Sequence, residues 1–335
     1  MARPWRADPH LHDRHHGRPR ALCGGCRGLP RLSRGQPTPH PNRGACAMST
    51  IEVIPSGATL GAEVRGVDLS RPLSEETRQQ IVAAWHEHLV LFFRGQELSD
   101  PALLQFGECF GEVLVDNRPV DYNRAADTEY PDRVDVISNV VVDGKPIGAL
   151  GDGEALWHTD TQPVPNSALI LHALETPAQG GRTRFANMYT AYETLPDDLR
   201  EQVQGRASIH DRIYGLQKDT LFHSSSASLD TFDKSRMPGP WWPIVRTHNE
   251  TGRKSLHLQR EGGGYVIGLS SEDSDRLLQR LWAHMTQPHL IWEHSWQVGD
   301  VLVWDNRCTI HSRTPFHSSE RRRLHRITVK GEWPN

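Results

Sequence analysis

The chain has 335 residues, of which 36% are hydrophobic and 24% are charged, so it is long enough to bury a substantial core. Its formal net charge is -3, which gives no electrostatic reason to expect nucleic acid as a partner. No apolar run approaches the ~20 residues that a membrane-spanning helix needs. These values predict a globular protein that neither spans a membrane nor is specialised for nucleic acid.

The cysteines are distributed unevenly along the chain. Cys23, Cys26 and Cys46 lie in the N-terminal segment, which leaves Cys109 and Cys308 in the body. Such a distribution does not form a disulfide framework, and it favours a reducing, cytoplasmic location.

Residues 1–47 are rich in Arg, Pro, Gly and His and lack hydrophobic periodicity. Segments of this composition do not bury enough apolar surface to order themselves, so we predict a disordered or mis-annotated N-terminal extension. A zinc site at Cys23-x-x-Cys26 and an Arg-rich transit peptide are weaker interpretations. The first patterned segment begins at Met48, and we expect one domain over residues 48–335.

The predicted elements begin with a short strand at 51–54 and two helices, which are capped by Ser74 and Ser99. Short strand-like runs dominate the rest of the chain. They cover residues 89–93, 134–138, 168–174, 244–248, 255–258, 301–304 and 326–329.

Further helices are predicted at 194–204 and 271–285, and residues 223–240 have the composition of a long loop, typical of an active-site lid. Early helices followed by many short strands predict a mainly β fold with flanking helices. Among two-sheet β architectures, the jelly roll is the one that binds ligands in its mouth.

Trp157-His158-Thr159-Asp160 is the most informative motif, and His311 is its distant partner. On a strand, His158 and Asp160 would point to the same face. His311 follows an apolar run and a polar turn, so we expect it near another strand end. Two imidazoles and one carboxylate form the facial triad that holds non-haem Fe(II) and leaves coordination positions open for O₂.

A run of basic residues at 321–326 continues into a strand-like segment. On that strand Arg322, Leu324 and Arg326 would share one face. If this face lines the interior, both guanidiniums require an anion, and a ligand carboxylate matches their geometry. The turn at 180–183 ends in Thr183, whose hydroxyl could join such an anion site.

The chain resembles the taurine dioxygenase (TauD/TfdA) family of Fe(II)/2-oxoglutarate-dependent dioxygenases from about residue 50 to residue 332. The resemblance rests on five ordered segments, at 61–69, 157–160, 180–183, 304–311 and 322–326. It implies a double-stranded β-helix, which is a jelly-roll variant. It also implies oxidative decarboxylation of 2-oxoglutarate to succinate and CO₂, coupled to hydroxylation of a substrate and, next to a heteroatom, to C–X cleavage.

The resemblance also implies roles for individual residues. By position in the motifs, His158, Asp160 and His311 match the iron ligands. Arg322 and Thr183 match the residues that hold the distal carboxylate of 2-oxoglutarate, and Arg326 matches a residue that holds the anionic group of the prime substrate. An aspartate at position 160 favours hydroxylation over halogenation.

Two departures from the family pattern indicate a substrate other than taurine. The segment at 110–114 lacks a histidine found in taurine-specific members, and Glu154 stands where those enzymes have Asn. A small carboxylate or sulfonate is the expected substrate, and Glu154 is a candidate contact for an amine or hydroxyl. Two other functions stay open: another His/Asp/His metalloenzyme, such as a zinc or manganese hydrolase, and a non-catalytic jelly-roll binding protein. The oligomeric state also stays open, with a homo-oligomer as one alternative.

Overall fold

The computed structural model describes residues 51–115, 127–162, 164–209 and 241–334. The predicted N-terminal extension at 1–47 and the predicted loop at 223–240 therefore lie outside the described residues. Within the described ranges, none of the helices has the length and apolar character to cross a membrane.

Three of the helices begin at serine caps. Ser74, Ser99 and Ser270 each accept a hydrogen bond from a backbone N–H in the first turn. The helices are α1 (Glu75–His88), α2 (Asp100–Gly107), α3 (Met188–Glu193), α4 (Asp197–Val203) and α5 (Ser271–Met285), with 3₁₀ turns at Glu108–Phe110 and Pro288–Leu290. The helix predicted at 194–204 begins only at Asp197, because Pro196 precedes it and Thr194 ends α3.

The strands are short and numerous, as the sequence predicts. In chain order they are β1 (Glu52–Pro55), β2 (Ala62–Arg65), β3 (Val90–Phe93), β4 (Val134–Ser138), β5 (Val141–Val142), β6 (Lys145–Pro146), β7 (Ala149–Leu150), β8 (Ala155–His158), β9 (Thr161–Gln162), β10 (Val164–Pro165), β11 (Ala168–Glu175), β12 (Thr183–Asn187), β13 (Ala207–Ile209), β14 (Trp241–Pro243), β15 (Val245–Thr247), β16 (Lys254–Leu256), β17 (Tyr265–Val266), β18 (Ile291–His294), β19 (Val301–Asp305), β20 (Thr309–Arg313) and β21 (Arg323–Val329).

Two sheets carry the architecture. The major sheet has eight strands in the order β1-β2-β3-β19-β11-β21-β4-β7, and the minor sheet has four in the order β18-β12-β20-β8. Their non-consecutive order is that of a jelly roll, which confirms the predicted fold class. β13, β14 and β17 form a small third sheet, and β15 pairs with β16 across the short connection at 248–253.

A buried layer between the two sheets fixes the face that each strand turns inward. It contains Phe185 of the minor sheet together with Leu302, Trp304 and Leu324 of the major sheet. A second layer packs the other face of the major sheet against α1 and α2, and a third packs the minor sheet against α5. Burial of each large apolar side chain stabilises the fold by about 1.5–3 kcal/mol.

Leu324 lies between the sheets, so the face that it was predicted to share with Arg326 is the inner one. Arg326, two residues further on, points to the same side. His325 points the other way and bonds Asp100 of α2. The structure therefore places Arg326 on the inner face of the major sheet.

Candidate active site

His158, Asp160 and His311 come together at one end of the space between the sheets. His158 ends β8, His311 lies opposite it on β20, and their ring centroids are 4.1 Å apart. Asp160 Oδ2 lies 3.3 Å from His311 Nε2. One ligand atom from each of the three residues lies within 4.8 Å of the others, which is a spacing that a single metal ion spans.

The local structure of the three residues differs from the prediction in two respects. β8 ends at His158, so Asp160 does not share its strand and lies in the connection to β9. His311 is in the middle of β20 rather than near a strand end. The sheet register therefore fixes the two imidazoles, while the carboxylate depends on a turn.

The donor set fits a divalent metal. His158 Nδ1 lies 2.7 Å from the Leu156 carbonyl oxygen, and this contact makes Nδ1 the protonated nitrogen and leaves Nε2 available as a ligand. Burial and the neighbouring His311 lower the pKa of His158 to about 4, which keeps the imidazole neutral. Burial opposes ionisation of Asp160, but the hydrogen bond and charge of His311 outweigh it and hold the pKa of Asp160 well below its usual range.

Asn306 holds the turn that carries Asp160. Its Oδ1 accepts from the Asp160 backbone N–H at 3.2 Å, and its Nδ2 donates to the Asp160 carbonyl at 2.8 Å. Nδ2 also donates to the Asn166 carbonyl at 2.9 Å, and the side chain is fully buried. The carboxamide thus fixes the backbone of Asp160 from both sides.

Asp305 and Arg307, the two sequence neighbours of Asn306, form a buried ionic network beside it. Arg307 donates to Oδ1 of Asp305 at 2.9 Å and to Oδ2 at 2.8 Å, and His248 Nε2 lies 2.9 Å from the same carboxylate. His248, Asp305 and Cys308 also have metal-ligand spacing. Both carboxylate oxygens are occupied by the guanidinium, however, so this second cluster is a structural ion pair.

Arg322 and Thr183 both lie next to Trp296, and Thr183 belongs to β12, which pairs with the strand that carries His311. The Arg322 side chain is 2% exposed, and no carboxylate within the described ranges pairs with it. Thr183 Oγ1 accepts from Trp296 Nε1 at 3.0 Å, which leaves its own hydrogen for another acceptor, and the Arg322 guanidinium lies 6.0 Å from the centre of a Trp296 ring. Burial lowers the pKa of Arg322 to about 9, as expected for a cation that lacks a counter-ion.

A tight turn makes room for Arg322. Gly181 has φ +62°, and a Cβ at this position would lie 3.3 Å from Arg322 Cδ and 2.8 Å from Pro177 Cγ. The absence of a side chain at Gly181 therefore lets the backbone of this turn approach Arg322 closely.

Arg326 and Glu154 have partners that the sequence did not reveal. Arg326 Nη2 bonds Asp135 at 2.8 Å, and its Nη1 lies 3.6 Å from Asp160. The expectation that Arg326 lacks a protein carboxylate is therefore wrong. Glu154 pairs with Arg184 at 3.1 Å. Since Arg184 lies over Trp157 on the outer face of the minor sheet, this pairing directs Glu154 away from the triad and argues against a contact with the substrate.

Three residues near the site were missed by the sequence reasoning. Asp135 pairs with Arg326, Asn306 holds Asp160, and Arg260 lies opposite His158 in a β-bridge. Asn306 was visible only as part of a polar turn. Asp135 and Arg260 are ordinary residues of a strand and a loop, and no local signal marks them.

Comparison with known proteins agrees with this geometry. The sequence model of the taurine catabolism dioxygenase TauD, TfdA family matches residues 52–328. The chain belongs to this family. It is an Fe(II)- and 2-oxoglutarate-dependent dioxygenase, with Fe(II) as cofactor and 2-oxoglutarate and O₂ as co-substrates, which decides against the hydrolase and the non-catalytic alternatives.

Two similar family members act on phenoxy acids, according to their names. The (S)-phenoxypropionate/alpha-ketoglutarate-dioxygenase of Sphingobium herbicidovorans is 32% identical over 84% of this chain and 96% of that protein. The alpha-ketoglutarate-dependent 2,4-dichlorophenoxyacetate dioxygenase of Cupriavidus pinatubonensis is 33% identical over 84% and 98%. The crystal structure of AAD-2 in complex with Mn(II) and N-oxalylglycine superposes with a TM-score of 0.68, at 27% identity over 85% of this chain and 99% of that one.

Proposed function

We propose that His158, Asp160 and His311 bind the Fe(II) ion of this dioxygenase and that Arg322 and Thr183 hold the distal carboxylate of 2-oxoglutarate. The observation that carries the proposal is the pairing of a metal-ligand set with a buried guanidinium that has no carboxylate partner among the described residues. A carboxylate accepts two parallel hydrogen bonds from a guanidinium, so Arg322 would fix the orientation of the co-substrate.

When bound, Fe(II) and 2-oxoglutarate supply the oxidative decarboxylation that is coupled to hydroxylation. The residues of the chain determine how the metal ion and the co-substrate are bound and oriented. His158 stays neutral and Asp160 ionised, so the site offers one negative charge to a divalent ion. Asn306 keeps the carboxylate in place, and the Thr183 hydroxyl donates to the anion beside Arg322.

The prime substrate proposed here is a small organic acid with a carboxylate or sulfonate group. Two arginines lie next to the triad: Arg326 Nη1 is 3.6 Å from Asp160 Oδ1, and Arg260 lies opposite His158 in a β-bridge. We assign the substrate anion to these two residues. The phenoxy acids named for the two relatives fit this class, and hydroxylation next to their ether oxygen would be followed by C–O cleavage.

We also propose that residues 48–335 form one domain after an N-terminal extension at 1–47. We propose a cytoplasmic location for the protein. In the described part of the chain Cys109 and Cys308 are both free thiols, which supports a reducing compartment.

The metal assignment is tested without turnover. Anaerobic addition of Fe(II) and 2-oxoglutarate should give a weak visible charge-transfer band in the wild-type protein and none in His158→Ala. Replacement of the exposed His289 by alanine is the control and should leave the band unchanged. An undiminished band in His158→Ala would contradict the assignment.

The substrate class is tested by succinate release with a panel of phenoxyacetates, phenoxypropionates, alkyl sulfonates and taurine, and with the uncharged alcohol analogue of each active acid. We expect turnover of acids only, and a higher KM in Arg260→Met and Arg326→Met. Equal turnover of the alcohols would exclude an anion anchor.

A further inference from the structure

Arg313 is a second buried guanidinium on the inner face of the minor sheet. It follows His311 by two residues on β20 and lies opposite Thr183 of β12 in the strand register. Directly opposed residues of antiparallel strands share a face, so Arg313, Thr183 and His311 all point between the sheets. The Arg313 residue is 7% exposed.

Backbone contacts hold Arg313 across the gap between the two sheets. Its Nη2 donates to the carbonyl of Leu150 at 2.8 Å and to that of Gly153. Leu150 belongs to β7, the edge strand of the major sheet, while Arg313 itself belongs to the minor sheet. The guanidinium is therefore fixed in position although none of the described carboxylates forms an ion pair with it, and the charge of Asp152 acts on it from further away.

Among the described residues, carboxylates form ion pairs with the neighbouring arginines but not with Arg313 or Arg322. Exposed Arg321 is bonded to Glu175, and Arg323 is bonded to Asp127 at 2.8 Å. For Arg313 and Arg322, by contrast, no ion pair with any described carboxylate exists, and the Nε atom of each is buried without a hydrogen-bond partner in the described ranges.

The two guanidiniums act on each other. After burial itself, the positive charge of Arg313 is the cause that lowers the pKa of Arg322. Two buried cations that repel each other are costly to maintain, and an anion placed between them would offset that cost. Such an anion would also accept from the hydroxyl of Thr183, which lies opposite Arg313.

We propose that Arg313 is a second binding residue for the distal carboxylate of 2-oxoglutarate and shares that carboxylate with Arg322. The inference rests on the proposed function of the site. One carboxylate would then bind two guanidiniums, one from each sheet. A co-substrate with a distal carboxylate would therefore link the two sheets at this end of the fold.

A pair of 2-oxo acids separates this role from a general effect on structure. 2-Oxovalerate has the carbon chain of 2-oxoglutarate but a methyl group in place of the distal carboxylate. Both acids are titrated anaerobically against the Fe(II)-loaded protein, with the charge-transfer band as readout. The Fe(II) affinity is measured separately, in the absence of either acid.

Arg313→Met should weaken the binding of 2-oxoglutarate by about ten- to a hundredfold, the range expected for a lost charge-assisted hydrogen bond. The affinities for 2-oxovalerate and for Fe(II) should change by less than about twofold, within the scatter of a surface substitution. Arg321→Met is the matched control, because Arg321 is an exposed arginine with its own carboxylate partner. Arg313→Lys keeps the positive charge and should lose less affinity, and it replaces Arg313→Met if that variant does not fold.

Three outcomes would overturn the inference or its basis, and they are distinguishable. If Arg313→Met binds 2-oxoglutarate as the wild type does while Arg322→Met does not, Arg313 has no role in the pocket. If both 2-oxo acids weaken equally in Arg313→Met, the residue acts through the structure or the metal. If wild-type protein does not prefer 2-oxoglutarate over 2-oxovalerate, the proposed function of the pocket itself is wrong.

Discussion

Replacement of Asn306 by alanine removes the side chain that fixes the backbone of Asp160. Three hydrogen bonds are lost, two to Asp160 and one to Asn166, all of them to backbone groups. At about 0.5–1.5 kcal/mol each, the free energy of unfolding should fall by roughly 2–4 kcal/mol. Loss of a group that orients a metal ligand typically lowers metal affinity by about 10- to 100-fold, and we expect Asn306→Ala to lower Fe(II) affinity within that range.

A matched control separates the two effects. Asn187 is also a buried asparagine with three hydrogen bonds, from the backbone N–H groups of Tyr189 and Thr190 to its Oδ1 and from its Nδ2 to the Thr59 carbonyl. Asn187→Ala should lose a similar free energy of unfolding in urea denaturation but keep its metal affinity. Competition titration with a chelator measures that affinity. Equal Fe(II) affinity in Asn306→Ala and the wild type would refute the role of Asn306.

Two further predictions concern Arg322 and a buried ion pair. Gly181→Ala should raise the KM for 2-oxoglutarate in a succinate-release assay. The new Cβ would crowd Arg322 and would strain the backbone at a residue with φ +62°. An unchanged KM would contradict the close packing. Burial opposes protonation of His325, but the hydrogen bond and charge of Asp100 outweigh it and raise the pKa of His325. The pair therefore stabilises the fold fully below the unfolded pKa of about 6.5 and loses this effect as the pH rises through the raised folded value. In urea denaturation His325→Gln should lose more stability at about pH 5.5 than at about pH 9, and an equal loss would refute the pairing.

Local signals predicted four of the five described helices and fewer than half of the described strands, because those signals act over a few residues and most of the short strands form only by pairing with distant segments. Ser74 and the apolar spacing after it mark the first helix, and the same combination marks the helix Ser271–Met285. The alternation of the basic strand predicted that Leu324 and Arg326 share one face, and the burial of Leu324 identifies that face as the inner one. The position of Asp160 was predicted wrongly, because the end of β8 is set by its pairing with β20 and not by the residues that follow His158.

The partners of the site residues were beyond the reach of the sequence. Asn306 holds Asp160 across 146 positions of the chain, and Asp135 meets Arg326 across 191. Neither contact leaves a periodicity or a spacing that can be read locally. The motif could therefore predict which residues carry the chemistry, but not which residues hold them in place or neutralise them.

The position of the two histidines on paired strands has a consequence for how the protein matures. β8 and β20 come from distant parts of the chain, and pairing of distant segments is a slow step in folding. Until that pairing exists, the chain has no preformed site for the ion. With the proposed ligands, binding of the metal therefore follows the pairing of β8 with β20.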